Sequence, residues 1–376
     1  MNSALLSKVA ENLQNIKTEK RKAVIGLDGF VDEVVHVVDK RISADEFSRI
    51  QTIREYGERI IEGSGLSSNI EIVTINKKIG GNGPIYANGL KRLGVNITYI
   101  GSVGEKEIHP VFEELAEGSE MIGVAEPCIT EAMEFMDGKI IRSKLNSLNR
   151  LTWEDIVRKV EIKRWVELLE ESDLISFNNW TMIPCMTDVW EHILKEVVPH
   201  VTGDRSKTLM FFDLADPRKR MKQDILKALD LIREFQKSGF RVQLGLNMKE
   251  ACLIGNVIGS VKKEEMQKIA LSEITKLLAE YLNIDAVVVH PVEKAACFRQ
   301  GNYYEVEGPY CKEPKLTTGA GDIFNSGFVF GQLQQFTPEE SLVLGVSASG
   351  YYVRNCRNAS MEELIGFIQD WKQGKV

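Results

Sequence analysis

The residues of this chain best placed to do chemistry sit in a run of small side chains, Thr317-Thr318-Gly319-Ala320-Gly321-Asp322. The run leads into an apolar stretch that holds Ile323, Phe324, Phe328, Val329, Phe330 and Leu333. Glycines at 319 and 321 let the backbone come close to a ligand and adopt conformations closed to other residues. With only Ala320 between them, the amides of residues 319–322 open at a helix N-terminus. Unpaired N–H groups and the helix dipole there favour an anion such as phosphate. Asp322 stands at the same point. A carboxylate beside a phosphate is a poor ligand for it but a suitable base for a hydroxyl that attacks it. The apolar residues that follow predict a buried helix, which would hold Asp322 rigidly. The competing reading is a glycine turn closed by an aspartate helix cap, worth about 1 kcal/mol.

The elements around this loop predict what positions it. The 376 residues are 43% hydrophobic and 27% charged, with a formal net charge of −7. That composition supports a large globular core. With no basic run, it argues against a nucleic-acid-binding surface. No stretch approaches the roughly 18 apolar residues of a membrane span, and Leu5, Val9, Leu13 and Ile16 mark a helical face rather than a signal peptide. The six cysteines are scattered and the five histidines show no metal-ligand spacing, which points to reduced thiols in the cytoplasm.

Short β-rich runs such as Ala23 to Leu27, DLISFNNW, TLMFFDLADP, VQLGLN and DAVVVHP alternate with helical segments such as MKQDILKALDLIREFQKSG. The pattern predicts an α/β fold, a three-layer α/β/α arrangement around a mostly parallel sheet. Alternating segments near residues 33–40, 68–78 and 130–144 fall outside that sheet and predict a small separate one, the last with a hairpin turn at Asp137-Gly138. Phe47, Ile50, Ile53, Ile60 and Ile61 predict a helical insertion over about 41–66. The whole reads as one domain, residues 1–376, with a small appended lid.

The loop strongly resembles the C-terminal signature DTxGAGDxF of the ribokinase (PfkB) family of small-molecule kinases. Thr317, Gly319, Ala320, Gly321, Asp322 and Phe324 match it, and Leu316 replaces its first aspartate. Further matches follow in family order. Asn247-Met-Lys-Glu250 fits the NxxE motif, for which the resemblance implies placement of magnesium, often through water. Gly80, Gly81 and Gly83, then Leu93-Gly94 and Gly101, Val103 and Gly104, fit the first signature, with Ile85 in place of a substrate-binding asparagine. The resemblance implies substrate contacts from Gly80, Gly81 and Asn82, and from an acid assigned to Asp32, with Asp28 in competition. It implies nucleotide contacts from Thr318, His290, Asn247 and Arg218, the last in a stretch with Asp213 and Asp216. At the turn after VVV, His290, Val292 and Ala295 replace the usual Thr, Gly and Gly.

Taken together the resemblance implies an ATP- and Mg²⁺-dependent kinase acting on a sugar or sugar-like alcohol. Asp322 would be its general base, Gly319 to Gly321 its anion hole, and a homodimer through the lid its oligomeric form. An ADP-dependent sugar kinase or a nucleoside kinase is the alternative within the superfamily. The replacements at Ile85, His290, Val292 and Leu316 motivate a third reading, a ligand-binding protein that kept the fold and lost efficient catalysis.

Overall fold

The computed structural model describes residues 3–16 and 20–376. Among the described residues fourteen strands form two sheets: β1 Lys22–Leu27, β2 Phe30–Arg41, β3 Phe47–Arg49, β4 Ile72–Gly80, β5 Asn96–Gly101, β6 Glu120–Gly123, β7 Cys128–Phe135, β8 Gly138–Lys144, β9 Leu174–Phe177, β10 Leu209–Asp213, β11 Arg241–Leu246, β12 Ala286–Val289, β13 Lys294–Arg299 and β14 Asn302–Glu307. The central sheet has nine strands in the order β14-β13-β12-β11-β10-β9-β1-β5-β6. Every pairing from β12 to β6 is parallel, and β13 and β14 extend the edge as an antiparallel hairpin.

Both faces of this sheet are covered, and the strand residues divide between two cores. Met210 and Phe212 enter one core with Phe177, Trp190 and Phe235; Leu209 and Phe211 enter the other with Tyr86, Phe328 and Phe330. This period-two division explains why the parallel strands read as nearly unbroken apolar runs. The helix Ala320–Leu333 is buried along its whole length after its first two residues, as its sequence predicts. It packs against the helices Asn82–Arg92 and Pro338–Asn355. Among the described residues no helix is long and apolar enough to cross a membrane.

The small sheet runs β3-β2-β7-β8, with β4 on β2 as well. It contains the three segments expected to lie outside the main sheet. The insertion is less helical than its spacing implies. Only Ile53–Glu62 is a helix, and Phe47–Arg49 instead pairs antiparallel with β2. The Thr52 side chain accepts from the Glu55 amide while the Glu55 carboxylate accepts from the Thr52 amide. That reciprocal cap starts the helix at residue 53 and leaves the preceding segment free to add to a strand edge. The β7–β8 turn is Met136-Asp137, one residue earlier than expected, because Phe135 pairs with Gly138.

The chain passes from the large sheet to the small one through Asp28-Gly29 and returns through Gly80-Gly81. These crossings are tight. Gly81 has φ +95°, and a Cβ on Gly83 would stand 2.6 Å from Asp28 Oδ1 and against the Tyr99 hydroxyl as well. Both neighbours are buried, so neither yields without loss of packing. We expect Gly83→Ala to lower stability by about 1–3 kcal/mol, read as a lower urea midpoint at unchanged m-value; an unchanged midpoint would show that this crossing tolerates expansion.

Candidate active site

Five parallel strands of the central sheet end on polar side chains at the same edge. Asp28 follows β1, Asn178 and Asn179 follow β9, Asp213 closes β10, Asn247 follows β11 and His290 follows β12. In open α/β sheets that carboxyl edge is where ligands bind, at the point where strand order reverses. Here the reversal lies at β1, between β9 and β5.

Asp28 is fully buried. Its Oδ2 accepts from the Asn82 amide at 3.0 Å and from Asn179 Nδ2 at 2.7 Å, and its Oδ1 accepts from the Gly83 amide at 2.9 Å. It thus caps the helix Asn82–Arg92 from a distant strand. Burial raises its pKa to about 6, against the opposing effect of those three hydrogen bonds. As a substrate ligand Asp28 would have to surrender contacts that hold the fold, so its structural place is the helix cap. Asp32 differs. It sits on β2 opposite Lys78, lies against Gly80 and lines a cavity of about 630 Å³. The glycine pair makes room for both acids: side chains at 80 and 81 would press on Asp32 and Asp28 respectively.

The loop before Asp322 divides two cavities. Leu316 and Thr318 line the 630 Å³ cavity with Asp32, Ile85 and Tyr352. Thr317, Ala320 and Gly321 line a second, of about 310 Å³, with Asn247, His290 and Phe324. Thr318, expected on the nucleotide side, therefore belongs to the other side. Its carbonyl accepts from the Tyr352 hydroxyl at 3.0 Å, and the left-handed Gly319, φ +85°, turns the chain between the two walls. Of the loop amides expected to face an anion, that of Ala320 donates to the Thr317 carbonyl at 3.2 Å, while those of Gly319, Gly321 and Asp322 make no hydrogen bond among the described residues.

Asp322 is buried in the first helical turn, and its Oδ1 accepts from Asn82 Nδ2 at 2.9 Å. Asn82, expected to serve the substrate, thus holds the acid. Burial, followed by the charges of Asp213, Asp28 and Glu250, pushes the Asp322 carboxyl well above its usual range, while the Asn82 hydrogen bond opposes the shift. Asp213 is raised to about 6 by burial although Ala215 and Asn325 donate to it. Glu250 is raised to about 8 by burial and the charge of Asp213. It closes a capping box with Asn247: the Glu250 amide donates to Asn247 Oδ1 at 3.0 Å, and the Asn247 amide to Glu250 Oε2 at 2.9 Å.

His290 packs its ring on Phe324, 4.6 Å between centroids, beside Gly321. Burial lowers its pKa to about 4, so it is neutral at pH 7. Arg218 is not with these groups. It lines neither cavity and is clasped by Asp216, with Nε 2.8 Å from one carboxylate oxygen. Motif reading passed over Asn178, Asn179, Asn88, Asn325 and Tyr352. The available signal was polar residues placed directly after a buried strand or inside an apolar helix.

A buried group of acids with raised pKa values has a sign. Below about pH 4.5, the ordinary glutamate value, Glu250 is protonated in folded and unfolded chains alike. Between there and pH 8 the folded chain keeps a proton that the unfolded chain has released, so stability falls as pH rises. We expect the melting temperature of the ligand-free protein to fall between pH 6 and 8, and Glu250→Gln to flatten that fall; parallel profiles for the two proteins would contradict this assignment.

Comparison with known proteins places this geometry. The family model described as prokaryotic ketohexokinase matches residues 4–371. A ketohexokinase of Haloferax volcanii is 26% identical over 353 residues, covering 93% of this chain and 91% of that protein. Among solved structures, adenosine kinase from Sinorhizobium meliloti is similar with a TM-score of 0.63 at 16% identity, covering 94% of this chain and 100% of the other. Ribokinase from Cryptococcus neoformans in complex with ADP is similar with a TM-score of 0.60 at 17% identity, again over 94% and 100%.

Proposed function

The chain belongs to the prokaryotic ketohexokinase family, and from that premise we propose that it transfers the γ-phosphoryl group of ATP to a hydroxyl of a ketohexose. It is a carbohydrate kinase with the ribokinase-like fold. The observation that carries the finer reading is the partition of two cavities by the loop Leu316–Gly321, with Asp322 buried directly behind it. In this reading the sugar occupies the larger cavity and the nucleotide the smaller, and phosphate crosses between them at the loop.

Asp32 accepts hydrogen bonds from sugar hydroxyls and orients them. Asp322 takes the proton of the attacking hydroxyl. Burial raises its pKa, the direction that strengthens a carboxylate as a base. The open amides of Gly319, Gly321 and Asp322 point to stabilisation of the charge that develops on the transferred group. His290, neutral and stacked on Phe324, forms an apolar wall of the nucleotide cavity without adding charge.

Magnesium fits this site only as an ion shared with the nucleotide. Among the described residues no three Asp, Glu, His or Cys side chains stand together to hold a metal, whereas Mg²⁺ keeps several waters and takes one or two carboxylates plus phosphate oxygens. Glu250 and Asn247 would hold it, with Asp213 nearby, and it would supply neutralisation of phosphate charge. Burial raises both carboxyls, and the charge of Asp213 raises Glu250 further, which supports a positive charge being favourable there.

The small sheet acts as the lid of the sugar cavity in this reading, and its exposed Ile75, Met136 and Ile141 support pairing with a second copy. Six free cysteines suit a reducing cytoplasm. Asp322→Asn should fold with a wild-type melting temperature and bind ATP, while kcat with MgATP and a ketohexose falls by about 10²–10⁴. Turnover within threefold of wild type would remove Asp322 from the base role, and the absence of transfer to any sugar by the unaltered protein would overturn the function.

A further inference from the structure

Two asparagines in the wall of the larger cavity are without hydrogen-bond partners. Asn88 is 3% exposed, and its Oδ1 is buried and unpartnered; the Oδ1 of Asn358 is buried and unpartnered as well. Both residues line the cavity that holds Asp32. Neither side chain makes a hydrogen bond among the described residues. Buried amides in folded proteins are nearly always paired, so two orphans in one wall need a cause.

They reach the cavity from separate elements. Asn88 lies three residues beyond Ile85 on the helix Asn82–Arg92, on the same helical face. It is about 9 Å further along the axis than Asn82, the residue that holds Asp322. Asn358 follows the helix Pro338–Asn355, past the left-handed Cys356. The neighbouring wall residues Ile85 and Leu316 are apolar and offer these amides nothing. A carboxamide presents one acceptor and two donors, which matches hydroxyl groups that both give and take a hydrogen bond.

We infer that Asn88 and Asn358 bind hydroxyl groups of the sugar at the end of the cavity remote from Asp322, and so determine which polyhydroxylated acceptor is taken. The inference rests on the larger cavity being the acceptor site. Asp32 then holds the sugar near the reaction and the amide pair checks the far hydroxyls, whose loss leaves buried polar groups unpaired. A site of that design discriminates against an analogue lacking the hydroxyl more strongly than an apolar pocket does.

The test compares wild type, Asn88→Leu and Asn358→Leu on a ketohexose and its mono-deoxy analogues, by steady-state kinetics and by sugar-dependent melting shifts without nucleotide. In wild type one or more deoxy analogues should lose about tenfold in kcat/KM, the scale of one hydrogen bond. In the matching variant the parent sugar should lose the same factor and the analogue nothing further, with KM for ATP unchanged. The ligand-free melting temperatures should stay level or rise, since each variant removes an unpaired amide; a structural role would lower them. If Asn88→Leu does not fold, Asn358→Leu carries the same comparison.

Identical analogue ranking in wild type and both variants overturns the inference while leaving the kinase function intact. Sugar-dependent melting shifts that follow the predicted ranking, in a protein that transfers no phosphate, overturn the function and support the binding role. Failure to bind any sugar overturns both.

Discussion

Much of this molecule depends on one buried carboxylate. Asp28 ends the first strand of the main sheet and accepts the amides of Asn82 and Gly83 across 54 and 55 residues of chain. Everything between, the strands β2 to β4 and their short helix, leaves and re-enters the fold at this contact. A charged cap on a helix N-terminus is favourable because the helix presents unpaired donors and a partial positive charge there. Here it also pays for enclosing the acid, with Asn179 as a third donor. The same helix turn then projects Asn82 onto Asp322 from 240 residues away, so the crossing between sheets and the position of Asp322 are set together.

The second organising feature is repulsion. Burial raises the proton affinity of Asp28, Asp213, Glu250 and Asp322, and the charge of Asp213 adds to it at Asp28, Glu250 and Asp322. Without ligand, that crowding opposes ionisation and works against stability as pH rises. A magnesium ion carried in with the nucleotide would turn it into attraction. Such an arrangement would be more favourable with a cation bound than empty. The loop between the cavities turns at the left-handed Gly319, with Thr318 lining one cavity and Gly321 the other.

Much of this was legible from the sequence. The alternation of apolar runs and helices identified the layered sheet, and the glycine–acid loop at residues 319–322 stood out as a candidate site, because all its parts are adjacent in the chain. What could not be read depends on distance or on side. Asp28 and Asp32 are four residues apart and chemically identical, and only the approach of the Asn82 helix assigns one to the cap and leaves the other in the cavity. Asn82 offered no sign that its partner was an acid far along the chain. Thr317 and Thr318 are neighbours whose side chains line different cavities. Phe47, Ile50 and Ile53 imitate a helical stripe, yet the Thr52 cap and the open edge of β2 make the first part a strand.

The central claim is that acceptor and nucleotide meet across the Leu316–Gly321 loop with Asp322 at the reacting hydroxyl. A crystal structure with a ketohexose and a non-hydrolysable ATP analogue with magnesium tests it directly. The account predicts sugar in the cavity of Asp32, with one hydroxyl within hydrogen-bond reach of the Asp322 carboxylate, and the terminal phosphate on the amides of Gly319 to Asp322. Sugar bound elsewhere, or a nucleotide filling the Asp32 cavity, would contradict it.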